Sequence, residues 1–295
     1  MIVLIIICIR KEVFMMNIKI TADSTCDLGP EVIERYNIDI LPLYVVEDEK
    51  SLRDGIDVSP EDIFDFVEKT GGSVSTSAVN TSDYINYFTK IKKTYDAIIH
   101  INISSEFSSC HQNALLAAET IEGVYPVDSR NLSTGSGHIV VEAAKMAESG
   151  ASPEEIVSAL KKLTKKVEAS FFIEKLDYLR RGGRCSALTA LGANLLSLRP
   201  CIEVKDGKMG VGKKYRGTME KVAEQYVRDR LEGRTDIQTD LIFVTHSPSD
   251  KELVEFVKAE IPKYMKFDEI IETSAGCTVS SHCGPNTIGI LFKRK

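Results

Sequence analysis

Along the chain, short apolar runs alternate with stretches in which apolar residues recur every third or fourth position, the pattern of strands and amphipathic helices taken in turn. Residues 95–120 organise the rest. Ala97-Ile98-Ile99-His100-Ile101-Asn102-Ile103 is β-branched at nearly every position and predicts a strand buried on both faces of a parallel sheet. Ser104, Ser105, Ser108 and Ser109 follow at once, and Ala114, Leu115, Ala117, Ala118 and Ile121 then recur at helical spacing. The serines therefore occupy a strand-to-helix turn at the carboxyl edge of a sheet, where open α/β folds place ligands. A hydroxyl such as that of Ser108 can cap the free N–H groups of the helix or join them in holding an anion. Ser75-Thr76-Ser77 forms a second hydroxyl-rich turn.

The same reading predicts strands over 18–23, 38–46 and 124–129, the last at a sheet edge because Pro126 lacks a ladder donor. Residues 47–58 are charged and read as a loop, and 74–77 as a short strand or turn. Helices are expected after Pro30, from Ser59-Pro60 to Gly71-Gly72, and over 81–93, 133–149 and 152–167. Beyond residue 168 the pattern becomes mixed. A strand at 169–173, helices at 174–181 and 187–197, and a hairpin over 200–215 turning at Asp206-Gly207 precede a helix at 217–231. A strand (240–246), a helix (248–261), a strand (269–273), a glycine-rich turn and a strand (287–292) close the chain.

The expected fold class is α/β in two domains. An N-terminal, mainly parallel sheet with flanking helices spans 16–168, and a C-terminal mixed α/β sheet domain spans 169–295. Residues 1–15 read as an extension outside the fold. Their apolar run is far shorter than the roughly 20 residues needed to span a bilayer, and charge follows it instead of preceding it.

Composition narrows the functions. Of 295 residues, 43% are hydrophobic and 27% charged, as in a globular protein. A formal charge of -6 without a basic stripe argues against nucleic acid as a ligand. Seven cysteines, an odd number without a Cys-x-x-Cys pair, suggest reduced thiols in a cytoplasm.

Candidate chemistries are few. Gly135-Ser136-Gly137 lacks the third glycine of a dinucleotide fingerprint, and neither a P-loop nor a Gly-x-Ser-x-Gly elbow occurs. No cofactor is expected. Asp23-Ser24-Thr25 reads as a sheet-edge aspartate bonding the next turn in preference to an aspartyl nucleophile. Cys277, His282 and Cys283 match no usual zinc spacing, and no metal is expected. His282 precedes the Gly284-Pro285 turn, which can aim its ring at a pocket or leave it in the core. Arg184 follows the Gly182-Gly183 helix stop, facing either inward or solvent.

Five stretches together resemble the DegV family of bacterial fatty-acid-binding proteins: Asp23 to Leu28, Ser75-Thr76-Ser77, Ile103 to Ser109, Leu176 to Arg184, and His282-Cys283-Gly284-Pro285. The resemblance implies a long-chain fatty acid with its carboxylate at the domain junction and its acyl chain in a buried tunnel. It places the head group on Thr76 and Ser108, supported by Arg184 and His282. It also implies a carrier without catalysis of its own, which presents the fatty acid to a separate fatty-acid kinase for acyl-phosphate formation in phospholipid synthesis. Stable membrane insertion is not expected. Phe171, Phe172, Leu191, Leu195, Leu196 and Ile202 are the candidate tail contacts, or ordinary core. The chain departs from the family pattern at Ala78-Val79-Asn80, Ser109-Cys110 and Asn286. A different class of function, a small-molecule hydrolase using Ser108 with His111 or His282 as base, is the alternative.

Overall fold

The computed structural model describes residues 16–48, 50–187 and 198–295. The extension 1–15, the greater part of the predicted helix 187–197, and with it Leu191, Leu195 and Leu196, lie outside the described residues. The first half comprises β1 (Ile18–Asp23), a 3-10 turn (Ser24–Cys26), α1 (Pro30–Arg35), β2 (Asp39–Leu41), β3 (Tyr44–Glu47), β4 (Lys50–Arg53) and α2 (Pro60–Thr70). It continues with β5 (Val74–Ser77), α3 (Thr81–Ile91), β6 (Ala97–Asn102), α4 (Cys110–Ala118), β7 (Val124–Asp128), α5 (Ser133–Glu148) and α6 (Pro153–Leu163). The second half comprises β8 (Val167–Phe172), α7 (Leu176–Gly182), β9 (Leu198–Lys205), β10 (Lys208–Arg216) and α8 (Met219–Leu231). It ends with β11 (Ile237–His246), α9 (Lys251–Tyr264), β12 (Glu269–Ser274), α10 (Cys277–Cys283) and β13 (Ile288–Arg294).

The first sheet has the order β2-β1-β6-β7 and is parallel throughout, with β6 buried at every residue and β7 at the edge. The second is six-stranded and mixed, β10-β9-β8-β13-β11-β12, with only β11 and β12 parallel. Helix α5 packs against β1 and β6 on one side and β8, β11 and β13 on the other, so it is the layer between the sheets. Burial on both sides explains why eleven of its sixteen residues are buried. The Gly135-Ser136-Gly137 fragment belongs to this packing, since a β-carbon at Gly137 would lie 2.7 Å from Leu28 Cδ2 and 3.1 Å from the Cys26 carbonyl. One core joins Ile99, Ile139 and Leu291 across the three layers, and a second lies between the mixed sheet and α8 and α9, around Tyr226, Val257 and Phe292.

Two local expectations are corrected and a third is decided. The single strand over 38–46 is two, β2 and β3, in different sheets, because Pro42 has no N–H to continue a ladder. The loop over 47–58 contains β4, which turns back on β3 to form the sheet β4-β3-β5. Of the two forms expected for 74–77, strand or turn, the structure has the strand β5, with Thr76 opposite Val45. In addition, the glycine-rich turn before the last strand holds a helix, α10, which the apolar pattern does not show.

Two aspartates of the first half seat that helix. Asp54 accepts from the N–H groups of Cys277 at 2.7 Å and Thr278 at 3.1 Å, and Asp27 accepts from the N–H of Gly276 at 2.8 Å. Carboxyl oxygens at a helix start satisfy its free donors. Burial, with the charge of Asp54 added, pushes the Asp27 carboxyl up to about 8.

Candidate functional site

Asp23 at the end of β1 fixes the start of the serine junction. Its buried carboxylate accepts from the Tyr84 hydroxyl at 2.9 Å, from the Asn102 amide at 3.2 Å and from the Ile103 N–H at 3.0 Å. His100 bridges this aspartate and Thr21, at 3.2 and 2.7 Å. The chain leaving β6 is thereby held in one direction, and Ser104 donates across to the carbonyl of Gly207 at the tip of the β9–β10 hairpin, at 2.8 Å. Asp206 and Gly207 both have positive φ, 50° and 81°, as the predicted tight turn requires.

Beneath this junction lies a cavity of about 320 Å³, within the usual range of small-molecule sites. Thr76, Ser108, Arg184 and His282 all line it. Leu43, Ile103, Phe107, Leu132, Met209 and Val279 supply its apolar wall. Elements from both halves of the chain therefore meet here: β5 and the β6–α4 junction from the first, the turn after α7, β10 and α10 from the second.

His282 Nε2 lies 2.9 Å from Thr76 Oγ1. Burial, aided by the positive charge of Arg184, pushes the imidazole down to about 4, so the ring is neutral near pH 7. Its Nδ1 is buried without a partner. A bare lone pair there is cheaper than an orphaned N–H, which puts the proton on Nε2, donating to Thr76. The Thr76 hydroxyl then keeps its own proton for the cavity. Gly182 makes room for the ring, since a β-carbon at that position would lie 2.2 Å from His282 Nδ1. Gly183, with φ 68°, ends α7 as expected, and the exposed Arg184 donates to the Gly182 carbonyl at 2.8 Å.

Ser108 stands one residue before the helix cap, Ser109, and its oxygen accepts from the Cys110 N–H at 3.3 Å. The Ser108 hydroxyl donates to Cys110 Sγ at 3.1 Å, and neither histidine of the hydrolase alternative is bonded to it. His111 turns instead to Asn102 Oδ1 at 3.3 Å and lines a separate, larger cleft with Asp128 and Arg130. Phe172 and Ile202 are core residues that do not border the ligand-sized cavity. Phe171 borders a crevice of about 30 Å³ which shares Leu132, Val279 and Cys283 with it. Cys277 donates to the Val58 carbonyl, and no group of three potential metal ligands gathers among the described residues. No described helix is long and apolar enough to cross a membrane. The motifs missed Thr278 and Met209 of the wall; the first stands four residues before His282, a helical spacing that becomes informative once α10 is recognised.

Residues 17–295 match the family described as "Uncharacterised protein, DegV family". A protein of Thermotoga maritima named a fatty acid-binding protein is 32% identical over 93% of this chain and 96% of its own. A DegV domain-containing protein of Caldanaerobacter subterraneus subsp. tengcongensis is 30% identical over 95% of this chain and all of its own. A solved DegV family structure from Thermus thermophilus, described for its fatty acid binding, superposes with a TM-score of 0.85 at 28% identity, covering 95% of this chain and 100% of that one. With a family match that runs from the first strand to the last residue and relatives matched over nearly their whole length, the chain belongs to the DegV family.

Proposed function

We propose that this protein binds one long-chain fatty acid, with its carboxylate on Thr76 and Ser108 beside Arg184 and His282 and its acyl chain along the apolar wall, between domains spanning 16–168 and 169–295. The observation that carries the reading is the meeting of hydroxyls and apolar residues from both halves in one cavity. Relatives named for fatty acid binding support the choice of ligand. Hydroxyl donors suit a carboxylate, and each buried methylene contributes about 0.8 kcal/mol, so the tail supplies most of the affinity. Arg184 is exposed, which sets the head group near solvent, where a separate fatty-acid kinase reaches it for acyl-phosphate formation. The protein acts as a cytoplasmic carrier and leaves the chemistry to that partner. Native mass spectrometry of the purified protein tests the reading: a retained fatty acid is expected, and clean empty protein recovered from lipid-replete cells would refute it.

A further inference from the structure

Helix α10 carries three hydroxyls, and two of them are engaged by the backbone: Ser280 donates to the Ala275 carbonyl at 3.1 Å and Ser281 to the Thr278 carbonyl at 3.0 Å. The third behaves differently. Thr278 is 5% exposed, its Oγ1 has no hydrogen-bond partner, and the residue lines the cavity beside Thr76, Ser108 and His282. Its backbone N–H is taken by Asp54, so the first turn of α10 is fixed and the side chain is held at the cavity wall. A buried hydroxyl that no described group of the protein engages keeps its proton for a ligand in that cavity.

Thr278 and His282 are one helical turn apart on the same face of α10, a spacing of about 5–6 Å between β-carbons. Since His282 touches Thr76, Thr278 lies about one turn from the pair. A carboxylate has two oxygens with about four lone-pair sites. Donors from Thr76 and Ser108 leave part of that capacity unmet.

We propose that Thr278 is a third hydroxyl donor to the ligand carboxylate, so that α10 grips the head group directly as well as through His282. The inference rests on the fatty-acid reading and adds to it a residue whose hydroxyl no described group of the protein engages. It also predicts preference for a carboxylate over a head group with one acceptor oxygen, such as a fatty alcohol.

The test compares Thr278→Val, which keeps the branched shape and loses the hydroxyl, with Thr278→Ser, which keeps the hydroxyl. Delipidated full-length protein is titrated with palmitate and with hexadecanol, and the empty protein is melted. Thr278→Val is expected to weaken palmitate binding about five- to tenfold and hexadecanol binding less than twofold. Thr278→Ser is expected to stay within twofold of the parent for both, with the empty Val variant melting at or above the parent midpoint. Palmitate affinity unchanged in Thr278→Val while Thr76→Val weakens it would overturn this inference and leave the fatty-acid reading standing. A lowered midpoint of the empty Val variant would also overturn it, by giving the hydroxyl a structural role. If the parent protein binds no palmitate at all, the fatty-acid reading fails and this inference falls with it.

Discussion

Thr76 Oγ1 and His282 Nε2 stand 2.9 Å apart although 206 positions separate them in the chain. The contact joins a small antiparallel sheet of the first half to the last helix of the second, and it orients the hydroxyl that faces the cavity. Replacing His282 by Leu removes the donor and lets that hydroxyl rotate. We expect fatty acid affinity to fall by about 1 to 2 kcal/mol, roughly the worth of one oriented hydrogen bond in a buried site. Titration with a fluorescent fatty acid reads the effect, and unchanged affinity would remove His282 from the site.

The space for that ring depends on Gly182. Alanine is intrinsically the better helix residue by about 1 kcal/mol, yet its β-carbon would fall 2.2 Å from His282 Nδ1. Gly182→Ala should therefore weaken binding at least as much as loss of the histidine, while circular dichroism shows the helix content intact. A variant that binds normally would mean that the ring can sit elsewhere without loss.

Ser108 separates the two classes of function considered. As a donor to a carboxylate, Ser108→Ala should cost about 1 to 3 kcal/mol of binding, and Thr76→Ala a similar amount. As a nucleophile, Ser108 would react with an active-site serine probe, which needs a base bonded to the hydroxyl. Its bond to Cys110 Sγ leads us to expect no labelling; stoichiometric labelling lost in Ser108→Ala would reverse the assignment.

Asp54 accepts two N–H groups at the start of α10 and a hydroxyl from Ser24 at 2.9 Å. Asp54→Ala leaves all three without a partner and should lower stability by about 2 to 4 kcal/mol, the range for a lost cap together with buried donors left unmet. Urea denaturation measures it, and a change below half a kcal/mol would show that α10 is seated by other contacts.

The pH dependence has two opposed parts. Asp27 is raised from 3.8 to about 8, so between those values the folded protein holds a proton that the unfolded chain has released. Stability from this group is present below pH 4 and is lost as pH rises through about 8. His138 and His282, lowered from 6.5 to about 4 by burial, act in reverse: their contribution is present above pH 6.5 and is lost as pH falls through about 4. Asp27→Asn stays neutral throughout, and its stability should no longer decline between pH 6.5 and 8. Melting curves across that window check the claim, and parallel declines in both proteins would show that Asp27 is already ionised.

Much of the architecture was written in local patterning. Short apolar runs announced β1 and β6, the period-3.6 signal announced α3, α6 and α9, and Asp206-Gly207 announced the hairpin, because each depends on neighbours in sequence. Helix α10 was not legible: Cys277-Thr278-Val279-Ser280-Ser281 has little helical preference, and the carboxyl groups that cap it come from Asp27 and Asp54, more than 220 positions away. Thr76, Ser108, Arg184 and His282 came from motif resemblance, and no periodicity pairs them. The structure brings all four to one cavity. Of the two roles left open for Phe172 and Ile202, tail contact or core, the structure has the core, a choice that apolar residues alone do not make in a sequence.

Helix α10 is clamped at its beginning by Asp27 and Asp54 of the first half and touches Thr76 at its end, so it works as a cross-brace between the two halves of the chain. Anything bound against its inner face is counted by both of them. A ligand there should raise the melting midpoint of the whole chain as a single transition, rising with the logarithm of free ligand, instead of splitting it into a protected half and an unprotected one.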